Sequence, residues 1–108
     1  MTWNLLLWRW SDTFDTPSKR KRAKLKFSDI TSQFAQFGDH PAIGDCDVVV
    51  AFRHAVDAEF GTDEDSRPFV FEDYGKCVVI NYPNQVRFDL VPKIAGIGRR
   101  FGLNASEF

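Results

Sequence analysis

Residues 3–10, WNLLLWRW, carry apolar side chains on both alternating rows, Trp3, Leu5 and Leu7 on one and Leu6, Trp8 and Trp10 on the other. A strand solvated on one face would alternate apolar with polar, so this run predicts a central strand covered on one side and partly on the other. Residues 11–18, SDTFDTPS, are turn chemistry, and 19–26, KRKRAKLK, read as a mobile loop or an exposed extension. The pattern then changes period. Ile30, Phe34 and Phe37 fall at helical spacing over 29–37, with Ser28 as a cap, Phe27 as a hydrophobic staple and Gly38 as the stop.

After a loop at 39–47, Val49, Phe52, Val56 and Phe60 mark a second helix from Val48 that Gly61 ends. Phe69–Phe71 and Cys77–Tyr82 read as two strands of a hairpin turning at Gly75, with an acidic turn before them at 61–68. A third helix, capped by Asn84, shows Val86, Leu90, Ile94, Ile97 and Phe101 on one face and stops at Gly102. Pro92 inside that run predicts a kink, or a helix that starts only near it. Leu103–Phe108 supplies a possible edge strand. Right-handed crossovers applied to this order give a single domain over 1–108. The expected fold class is α+β: a ferredoxin-like β-α-(α)-β-β-α-β sandwich or close variant, with a mostly antiparallel sheet and helices on one face.

Composition changes little in this picture. At 108 residues with 44% apolar and 27% charged side chains, the chain can build a core without a metal or disulfide staple. Cys46 lies in an acidic loop and Cys77 in an apolar run, which predicts reduced thiols and no disulfide framework. The opening apolar run is too short to span a bilayer and lacks the flanks of a secretory signal, so a cytoplasmic protein is expected.

Charge changes more. Between Asp39 and Asp73 there are ten acids and two bases, Arg53 and Arg67, whereas both flanks are basic. The formal net charge of −1 conceals about −8 in the middle against about +7 at the ends. Local potential steers encounters and total charge does not, so segregation of this kind favours a charged partner. The expected partner surface comprises Asp57, Glu59, Asp63, Glu64, Asp65, Glu72 and Asp73. Tyr74 or Tyr82 would serve as a rim aromatic anchor.

Other chemistry is poorly supported. His40 and His54 make no metal-ligand spacing with the cysteines, and Asp45 and Asp47 beside His40 lack the register of a calcium loop, so no metal or other cofactor is expected. AGIGRRFG has glycines but not the strand before and helix after them that a phosphate loop requires. Acids in a solvated turn have no burial to tune them for proton transfer, so no catalytic residue is assigned and an enzyme is not expected. The basic residues Lys19, Arg20, Lys21, Arg22, Lys24 and Lys26 define an alternative nucleic-acid-binding module. RPFVFED resembles an RNA-recognition strand in its alternating Phe69 and Phe71, although Pro68 stands where a glycine would follow the base. A third class, a self-assembling subunit, would use exposed aromatics and a sheet edge.

The chain ends add a resemblance. WNLLLWRW followed by a polar turn with DTP, and the closing PKIAGIGRRFGLNASEF, resemble small bacterial immunity proteins of contact-dependent and polymorphic toxin systems. The resemblance implies a non-enzymatic protein that neutralises a cognate antibacterial toxin by binding it. The toxin would be basic, possibly a nuclease, and the binder a monomer or weak homodimer with no membrane association. No catalytic residue is carried over.

Overall fold

The structure, a computed structural model, describes residues 2–45, 47–63 and 65–108. The elements run β1 (Thr2–Trp8), α1 (Pro17–Arg22), α2 (Phe27–Phe37), α3 (Val49–Phe60), β2 (Val70–Asp73), β3 (Val78–Pro83), α4 (Arg87–Arg100) and β4 (Asn104–Glu107), with short 3-10 turns at 12–14 and 84–86. Among the described residues the strands form one sheet in the order β2-β3-β1-β4, with antiparallel neighbours throughout. This is the strand order expected for the ferredoxin-like arrangement, and β1 is central as its doubly apolar sequence demands.

Both rows of β1 are buried. Leu5 and Leu7, opposite Ile80 and Val78, meet Val49, Phe52 and Val56 of α3 and Leu90, Ile94 and Ile97 of α4. Leu6 and Trp8, with Cys77 and Val79, meet Ile30 and Phe34 of α2 together with Ala42 and Ile43. The expectation of helices on one face is corrected accordingly. α3 and α4 cover one face, while α2 and the 42–43 segment cover the other. The physical reason lies in the second apolar row, which would otherwise leave Leu6 and Trp8 in water at a cost of roughly 1.5–3 kcal/mol for each large side chain.

Local corrections follow the same logic. The segment expected to be a loop or extension begins with helix α1, capped by Thr16, whose hydroxyl accepts from the Lys19 N–H, with Pro17 preset for the first turn. α2 begins at Phe27 with no side-chain cap. Phe27 packs toward Trp8 and Trp10 at centroid distances of 6.1 and 5.7 Å, so it joins the tryptophan cluster and Ser28 is not the cap. Asn84 likewise does not cap α4: its Oδ1 accepts from Trp3 Nε1 at 2.9 Å. α4 continues through Pro92, whose ring removes one backbone donor, because the buried Leu90, Ile94 and Ile97 hold the helix down on either side. The tail does form an edge strand, and Asn4 and Phe108 exchange both backbone hydrogen bonds beyond its end.

The chain leaving β1 finds a further, shorter partner past Trp8. Trp10 bridges Ile43, Ser11 N–H donates to Ala42 O at 2.8 Å, and Gly44 N–H donates to Arg9 O at 2.9 Å. The crossing is so close that a Cβ on Gly44 would lie 2.7 Å from Ser11 Cα and 2.9 Å from Trp10 O. Both obstacles are backbone and cannot rotate away. Gly44→Ala is expected to destabilise the fold by about 1–3 kcal/mol. A urea midpoint equal to that of the wild type would show that this crossing does not hold the second layer.

Candidate interface on the acidic flank

α3 lies alongside edge strand β2, and the two arginines of the acidic segment join them. Arg53 of α3 donates to Asp73 of β2 at 3.0 Å and lies 4.6 Å from the Phe71 ring centre. Arg67, just before β2, donates to Asp57 of α3 at 2.8 Å and to Gly61 O at 3.1 Å. Its guanidinium lies 5.0 Å from both the Phe69 and Phe71 ring centres, and its side chain is 5% exposed. The alternating Phe69 and Phe71 therefore form a seat for two internal cations, and Phe69 is also packed edge-on to Phe60.

These pairs sort the expected partner residues. Asp57 and Asp73 are each matched by an arginine. Glu59, Asp65 and Glu72 are exposed and have no cation within salt-bridge distance among the described residues. Asp63 accepts from Ser66 Oγ at 2.7 Å and from Asp65 N–H at 3.0 Å, and these bonds hold its carboxyl below the usual carboxylate range. Glu64 lies outside the described residues. The flank formed by α3, the 61–69 connection and β2 thus keeps a net excess of carboxylates after its internal pairs are satisfied.

The aromatic anchors divide. Tyr74 is 44% exposed at the hairpin tip, its ring packed edge-on to Phe34 at 4.9 Å. Tyr82 is 1% exposed, which corrects its expected place at a rim. Tyr82 instead donates to Glu107 Oε2 at 2.6 Å, and Arg87 donates to both oxygens of the same carboxylate at 2.8 and 2.7 Å. The Arg87 guanidinium in turn lies 3.6 Å from the Trp3 ring centre. The Arg87 hydrogen bonds hold the Glu107 carboxyl below its usual range, burial opposes them, and the Tyr82 hydrogen bond adds to them. Burial first, then the Glu107 hydrogen bond, pushes the Tyr82 hydroxyl well above the ordinary tyrosine range. Glu107 spends both oxygens on partners that join β4, β3 and the start of α4. Sequence reasoning missed this cluster, because Arg87 and Glu107 are twenty positions apart on different elements and form no local motif.

The basic set is also divided by the fold. Lys19 is tied to Asp15 at 2.8 Å and to Asp12 O at 3.1 Å. Arg20 lies 4.3 Å from the Trp10 ring centre and donates to Phe14 O and Asp15 O. Lys21, Arg22, Lys24 and Lys26 remain exposed, with no carboxylate within salt-bridge distance among the described residues. Lys24 takes a positive φ of 56° where the chain turns from α1 toward α2.

His54 is exposed, as the helical spacing implied, whereas His40 is buried and its Nδ1 accepts from the Ala42 N–H at 2.9 Å. Burial pushes the His40 pKa down, against the pull of Asp39. No group of three or more His, Cys, Asp or Glu among the described residues is placed to hold a metal. No helix among them is long and apolar enough to cross a membrane. Compared with protein-family models, curated proteins and solved structures, this chain has no match.

Proposed function

We propose that this chain is a non-enzymatic binding protein whose acidic flank docks a basic protein, and that the partner is a cognate antibacterial toxin neutralised in the cytoplasm. The carrying observation is the disposition of Arg53 and Arg67. Both are committed to internal carboxylates and phenylalanine rings, so Glu59, Asp63, Asp65 and Glu72 keep an uncompensated field. Such a field accelerates encounter with a basic surface and disfavours an acidic one. Tyr74, exposed at the hairpin next to Glu72 and Asp73, supplies an aromatic anchor of the kind that dominates binding energy. The toxin as partner is supported by the resemblance of the two chain ends to immunity proteins. Glu107, which accepts from both Arg87 and Tyr82, has both oxygens occupied, which suits a clamp better than proton transfer.

The test is retention of partners from the cytosol of the source cell by the wild type and by Glu59→Lys/Asp65→Lys/Glu72→Lys. The wild type is expected to hold a basic protein at moderate salt and the triple variant to lose it. If the variant holds the same protein equally well, the acidic flank is not the docking surface. The second reading, nucleic-acid binding, is favoured by four exposed cations, Lys21, Arg22, Lys24 and Lys26, that have no carboxylate partner among the described residues. It requires that nucleic acid be retained, that it wash off steeply with salt, and that Lys21→Glu/Arg22→Glu/Lys24→Glu/Lys26→Glu abolish it.

A further inference from the structure

The two open edges of the sheet are chemically opposite. In an antiparallel ladder, alternate residues point their N–H and C=O away from the partner strand. Tyr74 N–H donates to Cys77 O, so along β2 the outward groups belong to Phe71 and Asp73. That edge is guarded. Two copies of β2 pairing there would bring Glu72 and Asp73 of each copy together, and like charges across a strand pair are destabilising.

At the other edge, Asn4 and Phe108 form the hydrogen-bonded pair, so the outward groups of β4 belong to Ala105 and Glu107. Ala105 is exposed, and no strand lies beyond β4 among the described residues. Grooves flank this edge on both faces of the sheet. Phe27, Ser28 and Thr31 of α2 line one, and Phe88, Val91 and Pro92 of α4 line the other. Phe88 is 82% exposed, the most exposed large apolar side chain among the described residues, and Phe27 is 56% exposed. The charged residues on these two grooves are Arg87 and Glu107, which neutralise each other at 2.7 Å.

We propose that β4 pairs antiparallel with β4 of a second copy, joining two sheets into one across a two-fold axis. The argument for this occupant is electrostatic. A strongly charged partner gains nothing from a self-neutralised edge, whereas a second copy presents the same neutral surface and the same outward Ala105 and Glu107 groups. Pairing of this kind is isologous and closes on itself, so it stops at a dimer. The acidic edge at β2 stays outside the contact and remains available for another partner. The proposal stands independently of the toxin reading.

The test is sedimentation and light scattering of the purified chain over about a hundredfold range of concentration. The expected mass rises from one chain to two, with the Ala105 and Glu107 amides slowing in hydrogen exchange as the dimer forms. Ala105→Pro removes an outward N–H while leaving the β1 ladder its donors, since proline is tolerated where an edge N–H faces solvent. That variant is expected to stay at one chain while keeping the wild-type circular dichroism. Should it fail to fold, Phe88→Glu, at a solvated position of α4, is expected to weaken the dimer at least tenfold without changing the melting temperature. A wild-type mass of one chain at every concentration overturns the proposal. So does a dimer whose Ala105 and Glu107 amides exchange as fast as in the monomer, or one that Phe88→Glu leaves intact.

Discussion

Trp8→Ala is expected to cost about 3–5 kcal/mol of folding stability, the range for truncating a large buried aromatic. Trp8 is 0% exposed, its ring centre lies 4.5 Å from that of Trp10 in an edge-on contact, and its Nε1–H donates to Ser106 Oγ at 3.0 Å. Truncation opens a void between the sheet and α2 and removes the donor that satisfies Ser106 on edge strand β4. Net stabilities of small domains are about 5–15 kcal/mol, so the loss is a large fraction of the whole and would bring a domain at the lower end of that range close to unfolding at ambient temperature. The hydrogen bond is the smaller part of this. Ser106→Ala, which spares the ring but leaves the buried Trp8 Nε1–H without its acceptor, should cost about 1–3 kcal/mol. Urea midpoints for the two variants separate packing from hydrogen bonding. If Trp8→Ala unfolded within 1 kcal/mol of the wild type, the second layer of the core would be loosely packed and the two-faced architecture would not matter energetically.

Glu107→Ala is expected to cost about 2–4 kcal/mol, because it leaves the Tyr82 hydroxyl buried without an acceptor and also forfeits a charge-assisted hydrogen bond. Tyr82→Phe removes the hydroxyl itself and should cost less, about 1 kcal/mol. The order of the two variants is the decisive readout, since an orphaned polar group costs more than an absent one. The same carboxylate carries a pH signature. Arg87 holds its pKa below the unfolded value, so its contribution is fully present above the ordinary glutamate range, near about pH 4.3. It is lost as the pH falls through the lowered folded-state pKa. Stability of the wild type should therefore decline below about pH 4, and Glu107→Gln should start lower and decline less. An acid limb of equal steepness in both proteins would assign the acid sensitivity elsewhere, for instance to Asp39, which the Lys76 hydrogen bond also holds low.

The elements themselves were largely legible in the chain. The helical spacings of Ile30, Phe34 and of Val49, Phe52, Val56 mark buried faces of α2 and α3, because periodicity of 3.6 encodes which side meets the core, whereas Phe37, expected on the same face, lies exposed in the last turn of α2. The doubly apolar WNLLLWRW fixed β1 as central, and Gly38 with its φ of 72° ended α2 as expected. Helix starts were less legible. Ser28 and Asn84 have good capping chemistry, but Phe27 gained more by packing toward Trp8 and Trp10, and Asn84 accepted a hydrogen bond from Trp3. Tertiary contacts outbid a local preference of about 1 kcal/mol at both sites.

The candidate interface was half legible. The acids and their segregation are written in the sequence, as are the six clustered bases. Their partners are not. That Arg67 would be enclosed against Asp57 and two phenylalanines, or that Arg87, Glu107 and Tyr82 would converge, depends on bringing α3 beside β2 and α4 beside β4. Apart from α1, which the turn chemistry of 11–18 and the basic run concealed, the sequence by itself determined which segments are helix or strand, which strand is central, and how charge is distributed, because these follow from the chemistry of near neighbours. Only the tertiary structure decided which charges remain exposed and unpaired and which sheet edge is guarded. Those properties are differences between a side chain's own charge and what distant residues place beside it.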